Sequence, residues 1–187
     1  MVKLAVLVSL TGSLLKAILD AGLPVYLVVA DRKCRALEIA RRAKVPNVVL
    51  LERTDFSKRF DRAAYTADMI KLLKKHGIDL VAMAGFMTVF EEEIFEHFTL
   101  LNTHPSLLPA FKGEGHNAVR DALEAGAPET GCTIHIATAE LDAGPILAQA
   151  KVPVLQGDTV DTLHERIKEV ERVLYPQEIF KYMQKMG

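Results

Sequence analysis

The apolar residues of this 187-residue chain come in short runs separated by amphipathic stretches. Leu4 to Ser9 is one such run, closed by Thr11-Gly12-Ser13; Val25 to Ala30, Val48 to Leu51, Leu80 to Ala84 and Leu100 to Thr103 repeat it. Short apolar runs bounded by turn residues predict strands covered on both faces. Between the first two, Leu14, Leu15, Ile18 and Leu19 make one apolar helical face, with Ser13 as the expected cap and Gly22 near its end. Further helices are expected over Cys34 to Lys44, Arg59 to Lys75 and Phe90 to Phe98. The last carries Glu91-Glu92-Glu93 in its first turn, where the helix dipole favours acids.

Past residue 115 the rhythm changes. His116 to Ala125 reads as a helix ended by Gly126, and Thr133 to Ala137 and Ile146 to Val154 are β-rich around an Asp142-Ala143-Gly144-Pro145 turn. A final helix is expected over Thr159 to Tyr175, capped by Asp158 or Thr159, with Leu163, Ile167, Val170 and Leu174 at helical spacing. The whole predicts an α/β fold: a doubly wound, mostly parallel sheet with an antiparallel C-terminal addition. No repeat or linker interrupts it, so a single domain over residues 1–187 is expected. In such sheets ligands bind beyond the carboxyl ends of the strands. That rule singles out Ser9 to Leu14, Gly85 to Phe90 and Thr103 to Gly115.

Composition narrows the function classes. Half the residues are hydrophobic, 25% are charged and the formal net charge is -1. A dedicated nucleic-acid binder is ordinarily basic, so no nucleic-acid partner is expected. No apolar run approaches the roughly 18 residues of a membrane helix. Leu4 to Leu10 is broken by Thr11-Gly12-Ser13 and Lys16, which suits a buried strand better than a leader. Cys34 and Cys132 fit no metal-ligand spacing and are expected as thiols in the cytoplasm. The histidines and carboxylates show no HExxH-like spacing, so no metal is expected.

The candidate chemistry centres on Asn102-Thr103-His104-Pro105-Ser106-Leu107-Leu108-Pro109. On a strand, residues two apart face the same side, so Asn102 and His104 project together. An amide N–H beside a protonated imidazole is suited to stabilise an oxyanion. A loop histidine bonded to backbone accounts for His104 equally well. Asp142 is the third candidate, since a carboxylate close to an imidazole favours its charged form; an ordinary turn aspartate is the alternative. His135, opposite Ile134 and Ile136 in its strand, either lines the site or faces solvent. His76 and His97 sit at helix ends, His116 can approach a substrate, and His164 is expected on the exposed side of the last helix. The Ser9-to-Ser13 turn opens a helix, where free amides attract phosphate, but its glycine content is thin.

Taken together these segments resemble the folate-dependent formyltransferases, and among them the glycinamide ribonucleotide (phosphoribosylglycinamide) formyltransferases of purine biosynthesis. The resemblance runs nearly end to end. It is carried by Ala84-Gly85-Phe86-Met87, the Asn102-to-Pro109 stretch, Gly131-Cys132-Thr133-Ile134-His135, Leu141-Asp142-Ala143-Gly144-Pro145-Ile146, Val152-Pro153-Val154 and Gly157-Asp158-Thr159. It implies the α/β formyltransferase fold, with Asn102, His104 and Asp142 as the catalytic triad. It implies 10-formyltetrahydrofolate as co-substrate, held by Arg62, Met87, Thr88, Val89, Phe90, Asn102, Thr138, Ala139, Glu140, Leu141 and Asp142. The ribonucleotide acceptor would contact Leu10, Thr11, Gly12, Ser13 and Leu14, and Lys168, Glu169, Val170 and Glu171. Partners would be small molecules only, with the protein a monomer or homodimer. The chain length suggests neither the extra C-terminal domain of methionyl-tRNA formyltransferase nor the N-terminal regulatory domain of formyltetrahydrofolate hydrolase.

Two features depart from the family pattern, the phosphate loop and position 88. The phosphate loop usually reads Ser-Gly-x-Gly-Ser-Asn, whereas here Leu10 and Leu14 replace the first glycine and the asparagine. Thr88 stands where many members have arginine. Three readings therefore stand side by side: formyl transfer to glycinamide ribonucleotide, the same chemistry on another acceptor or on water, and an inactive nucleotide-binding module.

Overall fold

The computed structural model describes residues 2–57, 59–113 and 115–187; Glu114, inside the third expected site segment, lies outside them. The first strand, β1 (Leu4–Val8), is buried at every position. Its even residues Leu4, Val6 and Val8 enter one core layer and its odd residues Ala5 and Leu7 enter the other. That is why the run is uniformly apolar rather than alternating: each face of the strand meets a helix layer. Fully burying a leucine such as Leu4 or Leu7 stabilises the fold by about 1.5–3 kcal/mol.

Around β1 lie β2 (Val25–Ala30), β3 (Asn47–Leu50), β4 (Leu80–Met83) and β5 (Thr99–His104), all parallel. β6 (Glu129–Ile136) and β7 (Ile146–Pro153) then add antiparallel at one edge. The order β3-β2-β1-β4-β5-β6-β7 makes the sheet doubly wound, with its direction of growth reversing between β1 and β4. Helices α1 (Ser13–Asp20) and α2 (Arg35–Arg42) cover one face, together with the long C-terminal helix α6 (Val160–Met186). On the other face lie α3 (Arg62–His76) and α4 (Glu93–His97). The remaining helix, α5 (Gly115–Glu124), packs with α6 against β6 and β7 over Val119, Cys132, Val152, Leu163 and Ile167. Among the described residues no helix is long and apolar enough to cross a membrane.

Four expectations are corrected. Helix α1 is capped by Gly12 in the left-handed region (φ 77°), and Ser13 is its first residue. A side chain at position 12 would place its Cβ 2.7 Å from the Cα of Ala36, so close packing of α1 on α2 requires glycine. Helix α4 begins at Glu93, because residues 84–92 are used as an irregular crossing segment. Strand β6 starts at Glu129 rather than Thr133, since Thr130 and Gly131 pair with Val152 and Lys151 of β7. Finally α6 runs on from Tyr175 through Pro176 to Met186. The Tyr175 hydroxyl donates to the carbonyls of Leu101 (2.7 Å) and Met83 (3.1 Å), and Ile179 and Met183 continue the buried stripe. Packing there outweighs the proline's local cost.

Candidate active site

Strand β5 ends in the Asn102-Thr103-His104 triplet, and the antiparallel register sets Asn102 opposite His135 and His104 opposite Thr133. The loop that follows is pinned to β6 and β7. The Thr133 hydroxyl donates to the Ser106 carbonyl (2.6 Å) and accepts from the Leu108 amide (3.0 Å), while the Gln149 amide donates to the Leu108 carbonyl (2.9 Å). The turn after β6 returns Asp142 to the same place. His104 and Asp142, separate in sequence, meet with Nδ1 3.5 Å from Oδ2, both side chains buried. Oδ2 of Asp142 also accepts from the Gly113 amide at 2.9 Å. Gly144 is needed here, because a Cβ at that position would lie 1.8 Å from the Ile136 carbonyl oxygen.

Hydrogen bonding decides the proton positions. Nε2 of His104 lies 2.8 Å from the Phe111 carbonyl, which can only accept, so Nε2 carries a proton. His135, 1% exposed, has Nδ1 3.2 Å from the Ile136 carbonyl and Nε2 3.2 Å from the Asn102 amide nitrogen. The consistent assignment is a neutral His135 that donates from Nδ1 and accepts at Nε2. Burial pushes its pKa below the usual histidine range, in keeping with that neutral form. Its Nε2 lies 3.7 Å from Oδ1 of Asp142. Holding one N–H of Asn102 fixes which way the amide faces. Both Phe111 and Asp142 adopt φ 54°, a region side-chain-bearing residues seldom occupy, so the two loops touching His104 are held in strained geometry.

The other expected site residues divide by orientation. Along residues 87–90, Met87 and Val89 point outward and Thr88 and Phe90 inward. Thr88 donates to the Asp31 carboxylate at 2.7 Å, and Phe90 stacks between Tyr65 and Phe86, so neither presents its side chain to a ligand. Arg62, the first residue of α3, is half-exposed with its Nε 3.7 Å from Glu91. In the Asp142 loop, Ala139, Glu140 and Leu141 are exposed, and Thr138 donates to the Glu140 carbonyl (3.0 Å).

Of the turn after β1, Leu10 is 52% exposed, Thr11 and Ser13 are exposed, and Leu14 packs against the core. Ser9 is buried and accepts from the Met87 amide at 2.8 Å. On α6, Lys168 and Glu169 face outward and Val170 joins the core, so Leu14 and Val170 leave only main-chain groups for a ligand. Glu171 is buried and accepts from the Thr103 hydroxyl at 2.8 Å, which ties α6 to the triplet on β5; burial raises its pKa. An open cleft of about 370 Å³ between α1 and α6 is lined by Ser13, Lys16, Ala17, Asp20 and Arg172. Lys16 and Arg172, two cations beside the turn, were not singled out by motif. Among the described residues no group of three or more His, Cys, Asp or Glu side chains is arranged to hold a metal ion. His164 is half-buried on α6 rather than exposed, because its ring meets that of His116 on α5.

A sequence profile described as formyl transferase matches residues 2–179. The phosphoribosylglycinamide formyltransferase of Mycobacterium tuberculosis is 46% identical over 179 residues, covering 92% of this chain and 80% of the relative. The trifunctional purine biosynthetic protein adenosine-3 of Homo sapiens is 39% identical across 93% of this chain, a match spanning 18% of that protein. Among solved structures, glycinamide ribonucleotide transformylase 1 from Symbiobacterium toebii superimposes with a TM-score of 0.86 at 41% identity, covering 96% of this chain and 86% of that one.

Proposed function

Because this chain belongs to the formyl transferase family, we infer that it is a phosphoribosylglycinamide formyltransferase, formylating the amine of 5'-phosphoribosylglycinamide in purine biosynthesis. The observation that carries the reading is the meeting of His104 with Asp142 at 3.5 Å, beside an Asn102 amide oriented by His135. We assign the formyl donor to 10-formyltetrahydrofolate. The two segments proposed to hold it fit a flat, largely apolar ring system, since Met87 and Val89 on one and Leu141 on the other are exposed apolar side chains. Arg62 at the edge of the first is suited to an acidic end. Bound there, the donor supplies a formyl carbon attached to a nitrogen leaving group.

The residues then act as follows. The free N–H of Asn102 and the imidazolium of His104 face the negative charge that builds on the formyl oxygen as the acceptor amine attacks. Asp142 balances the histidine's charge and, through Gly113, fixes the loop that carries Phe111. For Nε2 of His104 to act, the Phe111 carbonyl must release it. The acceptor nitrogen gives up one proton as its bond to carbon forms, and the departing nitrogen takes one up, His104 or an ordered water carrying it. No activated serine or cysteine is needed, since transfer is direct.

The acceptor is assigned to the turn at Leu10, Thr11, Gly12, Ser13 and Leu14 and to Lys168, Glu169, Val170 and Glu171 of α6, with main-chain amides at Gly12 and Ser13 toward its phosphate. We propose that the chain acts as one domain in the cytoplasm, as a monomer or homodimer. The test is tetrahydrofolate release with and without glycinamide ribonucleotide. Release that depends on the acceptor supports transfer; equal release in its absence makes the protein a hydrolase.

A further inference from the structure

Strands β2, β1 and β4 lie side by side, and beyond the carboxyl end of each stands a buried polar residue: Asp31 after β2, Ser9 after β1 and Thr88 after β4. Register brings the first two together, since Val8 pairs with Ala30 and the Asp31 amide donates to the Val8 carbonyl (3.4 Å). The Asp31 carboxylate gathers the rest. Its Oδ1 accepts from Nε of Arg32 at 2.9 Å, and its Oδ2 accepts from Nη2 of Arg32 at 2.9 Å and from the Thr88 hydroxyl at 2.7 Å. Ser9 bonds the same carboxylate. Two bonds from Arg32, one from Thr88 and one from Ser9 fill the roughly four acceptor sites of a carboxylate. Burial opposes its ionisation, but these bonds outweigh it and leave the carboxyl below its usual range.

An ionised carboxylate only accepts, which sets the direction of every bond around it. The Ser9 hydroxyl therefore donates to Asp31, and its lone pairs are left for the Met87 amide, which donates to it at 2.8 Å. Asp31 thus holds residues 87 and 88 twice, directly through Thr88 and indirectly through Ser9. Ser9 leads by main chain into Leu10 to Leu14, the turn assigned to the acceptor. Met87 and Thr88 belong to the segment assigned to the donor. At 0%, 1% and 3% exposure, Asp31, Ser9 and Thr88 present no side chain to a ligand. A buried polar network with every bond made is rigid, so the spacing of the two segments is fixed before either substrate binds.

We propose that Asp31 is a positioning residue for formyl transfer, holding the acceptor turn and the donor segment at one fixed spacing. This rests on the substrate assignments above and adds what aligns the two molecules with each other. Direct transfer needs the amine about 3–3.5 Å from the formyl carbon, and a misplacement of about 1 Å can cost roughly 100-fold in rate. Asn102 and His104 stand on β5 and Asp142 follows β6, so the network governs where the substrates lie rather than the groups that stabilise charge.

Asp31→Asn would strand Arg32, so the carboxylate is probed through its partners. The variants are Thr88→Val, which removes the hydroxyl at nearly constant shape, Thr88→Ser, which restores it, Ser9→Ala, and Ser9→Ala combined with Thr88→Val. Tetrahydrofolate release is measured with both substrates saturating, and affinities for tetrahydrofolate and for glycinamide ribonucleotide are measured separately by calorimetry. In Thr88→Val and in Ser9→Ala, kcat should fall roughly ten- to hundredfold while each dissociation constant moves less than about threefold. Thr88→Ser should regain the parental rate. The double variant should lose little more than the worse single one, because both act through one carboxylate. The pH–rate profile should keep its shape, since His104 and Asp142 are untouched. Variants that melt lower yet keep the parental kcat would overturn the proposal, reducing the network to a structural one. So would a loss confined to tetrahydrofolate affinity, which would make Thr88 a local support of the donor pocket. A parent whose release ignores the acceptor would remove the functional reading and this proposal together, whereas an active parent matched by its variants removes the proposal alone.

Discussion

Replacing Asp142 by asparagine isolates one quantity, the negative charge 3.5 Å from Nδ1 of His104. The substitution is nearly isosteric. With the new amide oxygen kept on the Gly113 amide, that oxygen also stays beside Nδ1 of His104, because one oxygen of Asp142 makes both contacts, and the new N–H comes beside Nε2 of His135. The loop should hold and the melting temperature should move little. At an effective dielectric of about 20, two unit charges about 4 Å apart attract by about 4 kcal/mol, an upper bound for what the variant loses in stabilising an imidazolium. At about 1.4 kcal/mol per factor of ten, and beside the roughly 100- to 1000-fold cost of deleting an oxyanion donor, kcat should fall roughly 100- to 1000-fold. The Michaelis constant for either substrate should change far less. The assay is steady-state tetrahydrofolate release with glycinamide ribonucleotide as acceptor, paired with thermal unfolding. A folded variant turning over at the parental rate would refute the reasoning, for the charge would then do nothing in the transition state.

Three further outcomes follow from the same geometry. Tyr175→Phe removes the donor shared by the Leu101 and Met83 carbonyls, costing about 1–3 kcal/mol and lowering the melting temperature by roughly 2–4 °C per kcal/mol; an unshifted transition would show the tether to be idle. Gly144→Ala places a Cβ on the Ile136 carbonyl, so it should destabilise by about 1–3 kcal/mol or more and lose activity by displacing Asp142; parental stability and rate together would contradict this. His164 is pushed down to about 4 by burial, with Lys168 and His116 adding to the effect. The unfolded chain takes up this proton near 6.5 and the folded chain only near 4, so the contribution is complete above the first value and is lost as pH falls between them. Melting temperature followed against pH should be flatter across that window in His164→Gln than in the parent.

The parallel half of the sheet was legible because its inner strands β1, β2 and β4 are buried on both faces, which leaves an apolar run no helix of that length would need. The path beyond Tyr175 was not. Pro176 is a local stop signal, and only the tether from Tyr175 and the burial of Ile179 and Met183 keep the helix going. The start of β6 was missed for a related reason, since Thr130 and Gly131 are buried without being large or apolar. In the site, the shared face of Asn102 and His104 follows from strand period alone. The approach of Asp142 does not, because it depends on the turn after β6, and neither does the role of His135, which depends on an antiparallel register no local pattern encodes. Leu14 was open to two readings, a nucleotide contact by motif and a core residue by helical spacing, and its side chain follows the spacing.

The antiparallel pairing of β5 with β6 also governs how this chain can change in length. Asn102 faces His135 only in one register, and a shift by one residue would bring Ile134 or Ile136 opposite the amide and send the imidazole to the other side of the sheet. Within Glu129–Ile136, therefore, an insertion or deletion of a single residue is far more damaging than most point substitutions. The turn at Ala125 to Pro128 lies just before the strand, and open space surrounds Gly126, whose φ of 63° suits glycine itself. Length variation among active descendants of this sequence should accumulate in that turn and stop at the first residue of the strand.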